Sequence, residues 1–252
     1  MPLLVVLPEN DQQVQAVMRC CSELQVPVVA RGAGTGLTAG SMPHPEGILL
    51  SLAKLDRIVR ISPQSCSATV QPGVSNLAIS AAASRYGLYY APDPSSQIAC
   101  SIGGNVASNS GGVHCLKYGL TVHNLLSMTV ITAQGERLQL GSAGLDSPGL
   151  DMMAIMTGSE GLLGIVTEIT VKLLPQPPAA RVLLAGFDSI RAAGDAVGTI
   201  IAAGIIPAGL EMMDALAVQA AEDFCQAGYP RAAQAILLCE VDGTEQEVEQ
   251  HT

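Results

Sequence analysis

The stretch "ARGAGTGLTAGS", Ala30 to Ser41, follows a run of β-branched residues and places four glycines in nine positions. Residues without Cβ let several backbone N–H groups converge on one anion, so a glycine-rich loop after a strand points to a phosphate cradle. Two familiar cradles can be tested at once. A P-loop needs a Lys-Ser/Thr pair after its last glycine, and none follows here. The dinucleotide fingerprint is present in outline as Gly34-x-Gly36-x-x-Ala39, but that motif opens a helix. The next residues are "GSMPHPEG" (Gly40 to Gly47), whose two prolines and two glycines oppose a helix. The loop is therefore expected to bind its anion through its own amides. Arg31 is the only cationic residue in the stretch.

Two further tracts of small residues border apolar, strand-like sequence: "PDPSSQIACSIGGNVASNSGG" (Pro92 to Gly112) and "GSEGLLGIVTEI" (Gly158 to Ile169). Three such tracts suit a long ligand laid against backbone at several points. An extended nucleotide cofactor fits better than a small metabolite. Aromatic residues make up 3% of the 252, with no Trp, so a flat ligand must be held by backbone and aliphatic groups. A net charge of −10 argues against nucleic acid. No apolar stretch reaches membrane-span length and no secretory signal is evident, which predicts a cytoplasmic protein. The cysteines at 20, 21, 66, 100, 115, 225 and 239 form no CxxC pair, and reduced, mostly buried thiols are expected. His44, His114, His123 and His251 lack metal-ligand spacing.

The surrounding chain reads as alternating elements. "LLVVL" (Leu3 to Leu7) is a strand, and a helix follows, capped by Asn10 or Asp11. "VPVVA" returns to strand. "ILLSL", "RIVRI" and "SATVQ" are strands, "VSNLAISAAASRYG" is a helix ended by Gly87, and Met128 to Leu140 is a hairpin turning near Gln134 and Gly135. After the strand "GIVTEITVKLL", three prolines in "PQPPAA" suit a linker. Beyond it come the strand "RVLLAGF", a helix capped by Asp188, the extended "LEMMD", a second helix, and the strand "AILLCEVDG". This pattern suits an α+β layer pair. "TEQEVEQHT" has the look of a helix just beginning, so the 252 residues are expected to be a fragment of a longer protein.

The ordered set "VPVVARGAGTGLTAGS", "VQPGVSNLAI", "YAPDPSSQIACSIGGNVASNSGGVHCLKYG" and "GSEGLLGIVTEITVKLLP" resembles the FAD-binding domain of the vanillyl-alcohol-oxidase (PCMH-type) superfamily. The branch is that of FAD-linked 2-hydroxy-acid oxidoreductases, and within it the likeness is greatest to the glycolate-oxidising type. The resemblance implies a two-subdomain FAD-binding domain over residues 1–178. The first part of an α+β (ferredoxin-like) substrate cap follows over 179–252. It assigns the FAD pyrophosphate to Gly32, Ala33, Gly34, Thr35, Gly36 and Leu37, next to Arg31, with Gly40 and Ser41 completing the turn. Pro92, Asp93, Ser96, Ser101, Gly103, Gly104, Asn105 and Ser108 match the segment along the flavin and ribityl chain. Glu160, Gly164, Ile165 and Val166 match the tract near the adenosine. As bland alternatives, Asn105 and Asn109 are turn residues and Glu160 caps the next element. His114, Lys117 and Tyr118 are open between approach to substrate and a surface or structural role.

The resemblance further implies hydride removal from the hydroxyl-bearing carbon of glycolate or D-lactate. Related 2-hydroxy acids, a cell-wall-precursor reductase and a noncatalytic flavin-holding subunit are the alternatives. Noncovalent FAD is expected, since the first loop has no His or Cys to tether it. The branch's HxGDGNxH-type motif for a divalent metal is absent, so no catalytic or metal residue is named, and those groups are expected beyond Thr252. Relatives of the glycolate type work with an FAD-domain sister subunit and an iron–sulfur subunit. Such partners would also place the protein peripherally at the inner face of a membrane.

Overall fold

β1 (Leu4–Val6) gives way to α1 (Asp11–Glu23) at Asn10, whose extended backbone lets its side chain accept from Gln13 N at 3.0 Å. The computed structural model describes residues 1–142 and 149–252, in two units: 1–112 with 119–176, and 113–118 with 177–252.

In the first unit α1 leads to β2 (Val28–Arg31) and then β3 (Ile48–Ser51). These strands form a parallel sheet in the order β1-β3-β2, so the central β3 buries Ile48, Leu49 and Leu50. β4 (Ile58–Ser62), β5 (Ser67–Val70) and α2 (Asn76–Ala83) follow. A 3-10 turn then closes at Gly87, whose φ of +67° explains the glycine there. β6 (Leu88–Tyr89) and α3 (Ile102–Ser108) come next, and α4 (Cys115–Tyr118) lies in the second unit. β7 (Leu125–Ile131), β8 (Arg137–Gly141), α5 (Met152–Met156), β9 (Ile165–Lys172) and β10 (Leu174–Pro175) complete the first.

A five-stranded antiparallel sheet runs β4-β5-β9-β7-β8. β9 alternates as a half-covered strand should, and its inward Ile169 and Val171 meet Ala68, Val70, Met128 and Val130. Ile79 of α2 and Ile102 and Val106 of α3 close that core. A second cluster joins the two sheets through Val14, Met18, Leu50, Leu52 and Leu55 with Ile131 and Ile165. The expected hairpin turn is present, with Gly135 at φ +73°. Its carbonyl accepts from Gln15 Nε2 at 2.9 Å and Arg19 Nη2 at 3.2 Å, pinning the turn to α1.

In the second unit β11 (Ala179–Phe187), α6 (Ile190–Ala202), β12 (Gly209–Asp214), α7 (Ala215–Cys225), β13 (Ala235–Gly243) and α8 (Glu245–His251) build an antiparallel sheet, β11-β13-β12, with helices. β13 is central and largely buried, whereas β11 is an edge and largely exposed. The cap of α6 is Ser189 and not Asp188. Ser189 is the extended residue, and its hydroxyl accepts from Ala192 N at 3.1 Å. The thiols also depart from expectation: Cys21, Cys100 and Cys239 are buried, Cys66 is half-buried, and Cys20, Cys115 and Cys225 are exposed. Cys20 and Cys21 are neighbours on α1, and only Cys21 shares its buried face with Val14 and Met18.

α8 starts with a reciprocal cap. Thr244 Oγ1 accepts from Glu247 N at 3.3 Å, and Glu247 Oε2 accepts from Thr244 N at 2.8 Å. The bonds from the Thr244 backbone and hydroxyl hold the Glu247 carboxyl below its usual value. A group depressed in the folded state stabilises at neutral pH and loses that contribution as pH falls through the folded value. Backbone NMR shifts of α8 are therefore expected to move toward coil below the ordinary carboxylate range, and Glu247→Gln to remove that dependence. Shifts in the parent chain that stay flat with pH overturn this.

Candidate functional site

β2 ends at Arg31, and the next residue already approaches another element. A Cβ on Gly32 would fall inside van der Waals contact of Ser101 Oγ and 3.4 Å from Gly104 N. The first glycine loop therefore meets the start of α3. That start is built by three bonds: Ser101 Oγ accepts from Gly104 N at 3.3 Å, Ile102 N donates to Val74 O at 2.8 Å, and Gly103 N donates to Pro72 O at 2.9 Å. Gly103 is required by closeness, since its Cβ would lie 2.5 Å from that of Pro72. α3 ends at Asn109, left-handed at φ +46°, whose Oδ1 accepts from Val122 N at 3.0 Å. Asn109 is thus the turn residue that Asn105 is not.

The third tract is tied to the same helix. Gly158 N donates to Val106 O and Glu160 N to Ala107 O, both at 2.8 Å. Gly158, Glu160 and Gly161 all have positive φ, which folds the segment back on itself. The Glu160 carboxylate then faces Gly40, whose Cβ would sit 3.0 Å from Oε2.

Between these pieces lies a cleft of about 190 Å³. Of the residues expected at a site, it is lined by Gly32, Ala33, Gly34, Thr35, Gly36, Leu37, Gly40, Ser41, Ser96, Ser101, Gly104, Asn105, Ser108 and Glu160. A smaller cleft of about 50 Å³ shares Gly32, Gly104 and Glu160 with it and adds Arg31, Gly103, Gly164, Ile165 and Val166. Pro92 and Asp93 line neither; the Pro92 carbonyl accepts from Asn76 Nδ2 at 2.7 Å, and Asp93 packs against Gly112. Sequence reasoning missed Ala30, Thr38, Cys100, Ala107 and Ser110 on the first wall, and Leu52, Pro72, Met156, Ser159 and Gly161 on the second. Thr38, Cys100, Ala107 and Ser110 belong to the quoted glycine-rich tracts and Leu52 and Pro72 to other quoted stretches, but nothing local marks any of them as facing a cleft.

Among the described residues nothing accepts from the backbone N–H groups of Ala33 to Thr38, and that run is exposed. No helix follows the loop before β3. Six such amides beside the Arg31 side chain make a donor-rich wall suited to an anion, while Glu160 supplies an acceptor across it. Among the described residues, Arg31 and Glu160 are the only charged ones lining the two clefts. The arrangement can hold an elongated, partly anionic molecule, and its described lining residues include no His or Lys. Among the described residues no group of three or more His, Cys, Asp or Glu is placed to hold a metal.

His114, Lys117 and Tyr118 do not line the clefts. In the second unit His114 Nε2 lies 3.2 Å from Glu240 Oε2, and Asp242 is met by both Lys117 Nζ and Tyr118 Oη.

Residues 2–141 match the family described as FAD binding domain, and residues 176–252 match the C-terminal domain of FAD linked oxidases. The chain is 65% identical over 249 residues to the glycolate oxidase subunit GlcD of Escherichia coli, covering 99% of this chain and 50% of that protein. It is 42% identical to GlcD of Bacillus subtilis, covering 99% and 53%. To a D-lactate dehydrogenase of Anaerostipes hadrus it is 33% identical, covering 98% and 53%. The chain thus spans about half the length of these relatives. Among solved structures, an alkyldihydroxyacetonephosphate synthase shares the fold with a TM-score of 0.86 at 20% identity, over 98% of this chain and 48% of that one. With more than half of its residues matched, and three small-residue tracts converging on one donor-rich cleft, the chain belongs to the FAD-binding-domain family of FAD-linked oxidases.

Proposed function

We propose that the chain is the flavin-holding portion of a 2-hydroxy-acid oxidoreductase of the glycolate oxidase D-subunit type, acting on glycolate or D-lactate. Residues 1–178 form the FAD domain in this reading and 179–252 the start of the substrate cap. The observation that carries it is the wall of unpaired amides from Ala33 to Thr38, in a chain 65% identical to a glycolate oxidase subunit.

The residues fit the cofactor. Gly32 to Leu37, with Gly40 and Ser41, offer N–H dipoles, the glycines among them leave no Cβ where a pyrophosphate needs close backbone approach, and Arg31 adds one positive charge. Ser101, Gly103, Gly104, Asn105 and Ser108 present small groups along α3 for the ribityl and ring portion, with Ser96 beside them. Glu160 accepts from hydroxyl groups near the adenosine end, where Gly164, Ile165 and Val166 give a flat apolar floor. Pro92 acts from behind, through its carbonyl. When bound, FAD takes up the hydride released from the hydroxyl-bearing carbon of the substrate. The protein's share is to hold the cofactor without a covalent tether and to exclude water around it.

The glycolate-oxidase relatives also favour a complex, which we assign to a sister FAD subunit and an iron–sulfur subunit that carries electrons onward. Among the described residues no helix is long and apolar enough to cross a membrane. A cytoplasmic protein, attached at the membrane only through such partners, fits that reading.

Titrating FAD into the flavin-free chain is expected to quench flavin fluorescence at a stoichiometry of about one, and acid precipitation to release all of the flavin. In the intact protein, glycolate or D-lactate added anaerobically is expected to bleach it. A chain that takes up no FAD overturns the assignment of the cleft. Bleaching by neither acid overturns the substrate.

A further inference from the structure

We propose that Asn76, which does not line the cleft, is a positioning residue for the flavin: it fixes which end of the Asn105 amide faces the cofactor. The proposal rests on the FAD reading above. Asn76 is the first residue of α2, 1% exposed, and Asn105 lies in the middle of α3, 2% exposed. Both are far more buried than is usual for asparagine. Their side chains form a directed chain. Asn105 Nδ2 donates to Asn76 Oδ1 at 2.9 Å, and Asn76 Nδ2 donates to Pro92 O at 2.7 Å.

The direction follows from chemistry. The nitrogen and oxygen of an amide side chain are distinguished by their partners. A prolyl carbonyl can only accept, so Asn76 must turn its NH₂ group to Pro92 and its oxygen to Asn105. Asn105 must then answer with its own NH₂. Turning either amide over would set two donors or two acceptors face to face in a buried site, which is costly. A backbone carbonyl two links away thereby decides that Asn105 keeps its Oδ1 for other use. Among the described residues nothing donates to that oxygen.

Asn105 lines the main cleft together with the donor-rich first loop. An oriented acceptor there selects a ligand group that carries hydrogen: a ribityl hydroxyl or the imide N–H of the flavin ring. This also gives position 92 of the second tract a role. Pro92 lies outside both clefts, and its carbonyl is the terminus of the relay.

The test uses FAD affinity, followed by flavin fluorescence, with circular dichroism to establish folding. Asn76→Ala and Asn105→Ala are each expected to weaken binding about tenfold, the worth of one buried hydrogen bond. The double variant should bind no more weakly than Asn105→Ala, because Asn76 acts through Asn105. Asn76→Asp gives a second readout. Its carboxylate still accepts from Asn105 but meets Pro92 O lone pair to lone pair. Once protonated, the acid donates to Pro92 O as the amide did. Affinity in Asn76→Asp should therefore be weakened at about pH 8 and recover toward about pH 5.5, since burial raises the carboxyl's pKa. The parent should show no such recovery.

Additive losses in the double variant, or parent-like affinity in Asn76→Ala, overturn the role of Asn76. Should Asn76→Ala not fold, the Asn76→Asp profile decides, and a flat profile overturns the proposal. A parent chain that binds no FAD fails earlier and overturns the reading of the cleft itself.

Discussion

The Gly32→Val chain is expected to fold and to hold FAD at least about a hundredfold more weakly than the parent, the scale of overpacking in a filled site. Gly32 borders both clefts, and any Cβ there enters the contact distance of Ser101 Oγ and reaches 3.4 Å from Gly104 N. The serine can yield only by leaving Gly104 N and uncapping α3. The valine methyl groups would then project into the cleft proposed for the cofactor. Gly36 is the control, because it lines the same cleft yet a Cβ there meets nothing within 4 Å and its φ is not positive. Gly36→Ala should leave the fold intact, so any loss of affinity reports on the ligand alone. Gly34 is intermediate, at φ +74° with the Arg31 guanidinium folded over it. Fluorescence titration with parallel circular dichroism measures all three. Parent-like affinity in Gly32→Val would remove the first loop from the cofactor site.

The largest loss of stability is expected from Asp242→Ala. The side chain is 5% exposed, accepts from Tyr118 Oη at 2.5 Å and is paired with Lys117, which also donates to the Asp242 carbonyl at 2.9 Å. Removing the carboxylate leaves the Lys117 ammonium, itself 30% exposed, without its counter-charge, at a cost of about 3 kcal/mol. The double change Asp242→Leu with Lys117→Met should recover most of that, because two apolar groups leave no charge unpaired. Urea denaturation followed through the second unit distinguishes the cases. If the single and double variants lose the same stability, the pair contributes through packing and not through charge.

Much of the secondary structure was legible because its signals are local. Asn10, Ser75 and Thr244 cap helices with their own side chains, Gly87 ends one, and β9 alternates in a way that only a half-covered strand requires. α3 was not legible. Its residues, "IGGNVAS", have low helix propensity, and it forms because Ser101, Val74 and Pro72 hold its first turn. The glycines that line the site were visible as a composition, and their individual reasons were not. Gly103 answers to Pro72, Gly164 to Val130 and Gly32 to Ser101, each of them distant in the chain. Ser189 in place of Asp188 shows the same limit on a small scale, since either residue type can cap and only the backbone angle selects.

The sequence by itself determined the chemistry on offer: where β2 ends, a loop rich in bare N–H groups with a single cation beside it, and two more tracts too small to fill space. Which atoms meet was decided by the tertiary structure. Packing of α3 against the 72–76 segment set Asn76 behind Asn105, and pairing of β13 with its neighbours put Asp242 beside Lys117, 125 residues away. Local pattern records the hydrogen-bonding capacity and backbone freedom of each residue. The partner of a buried polar group is fixed only when distant segments pack and leave it one place to bond.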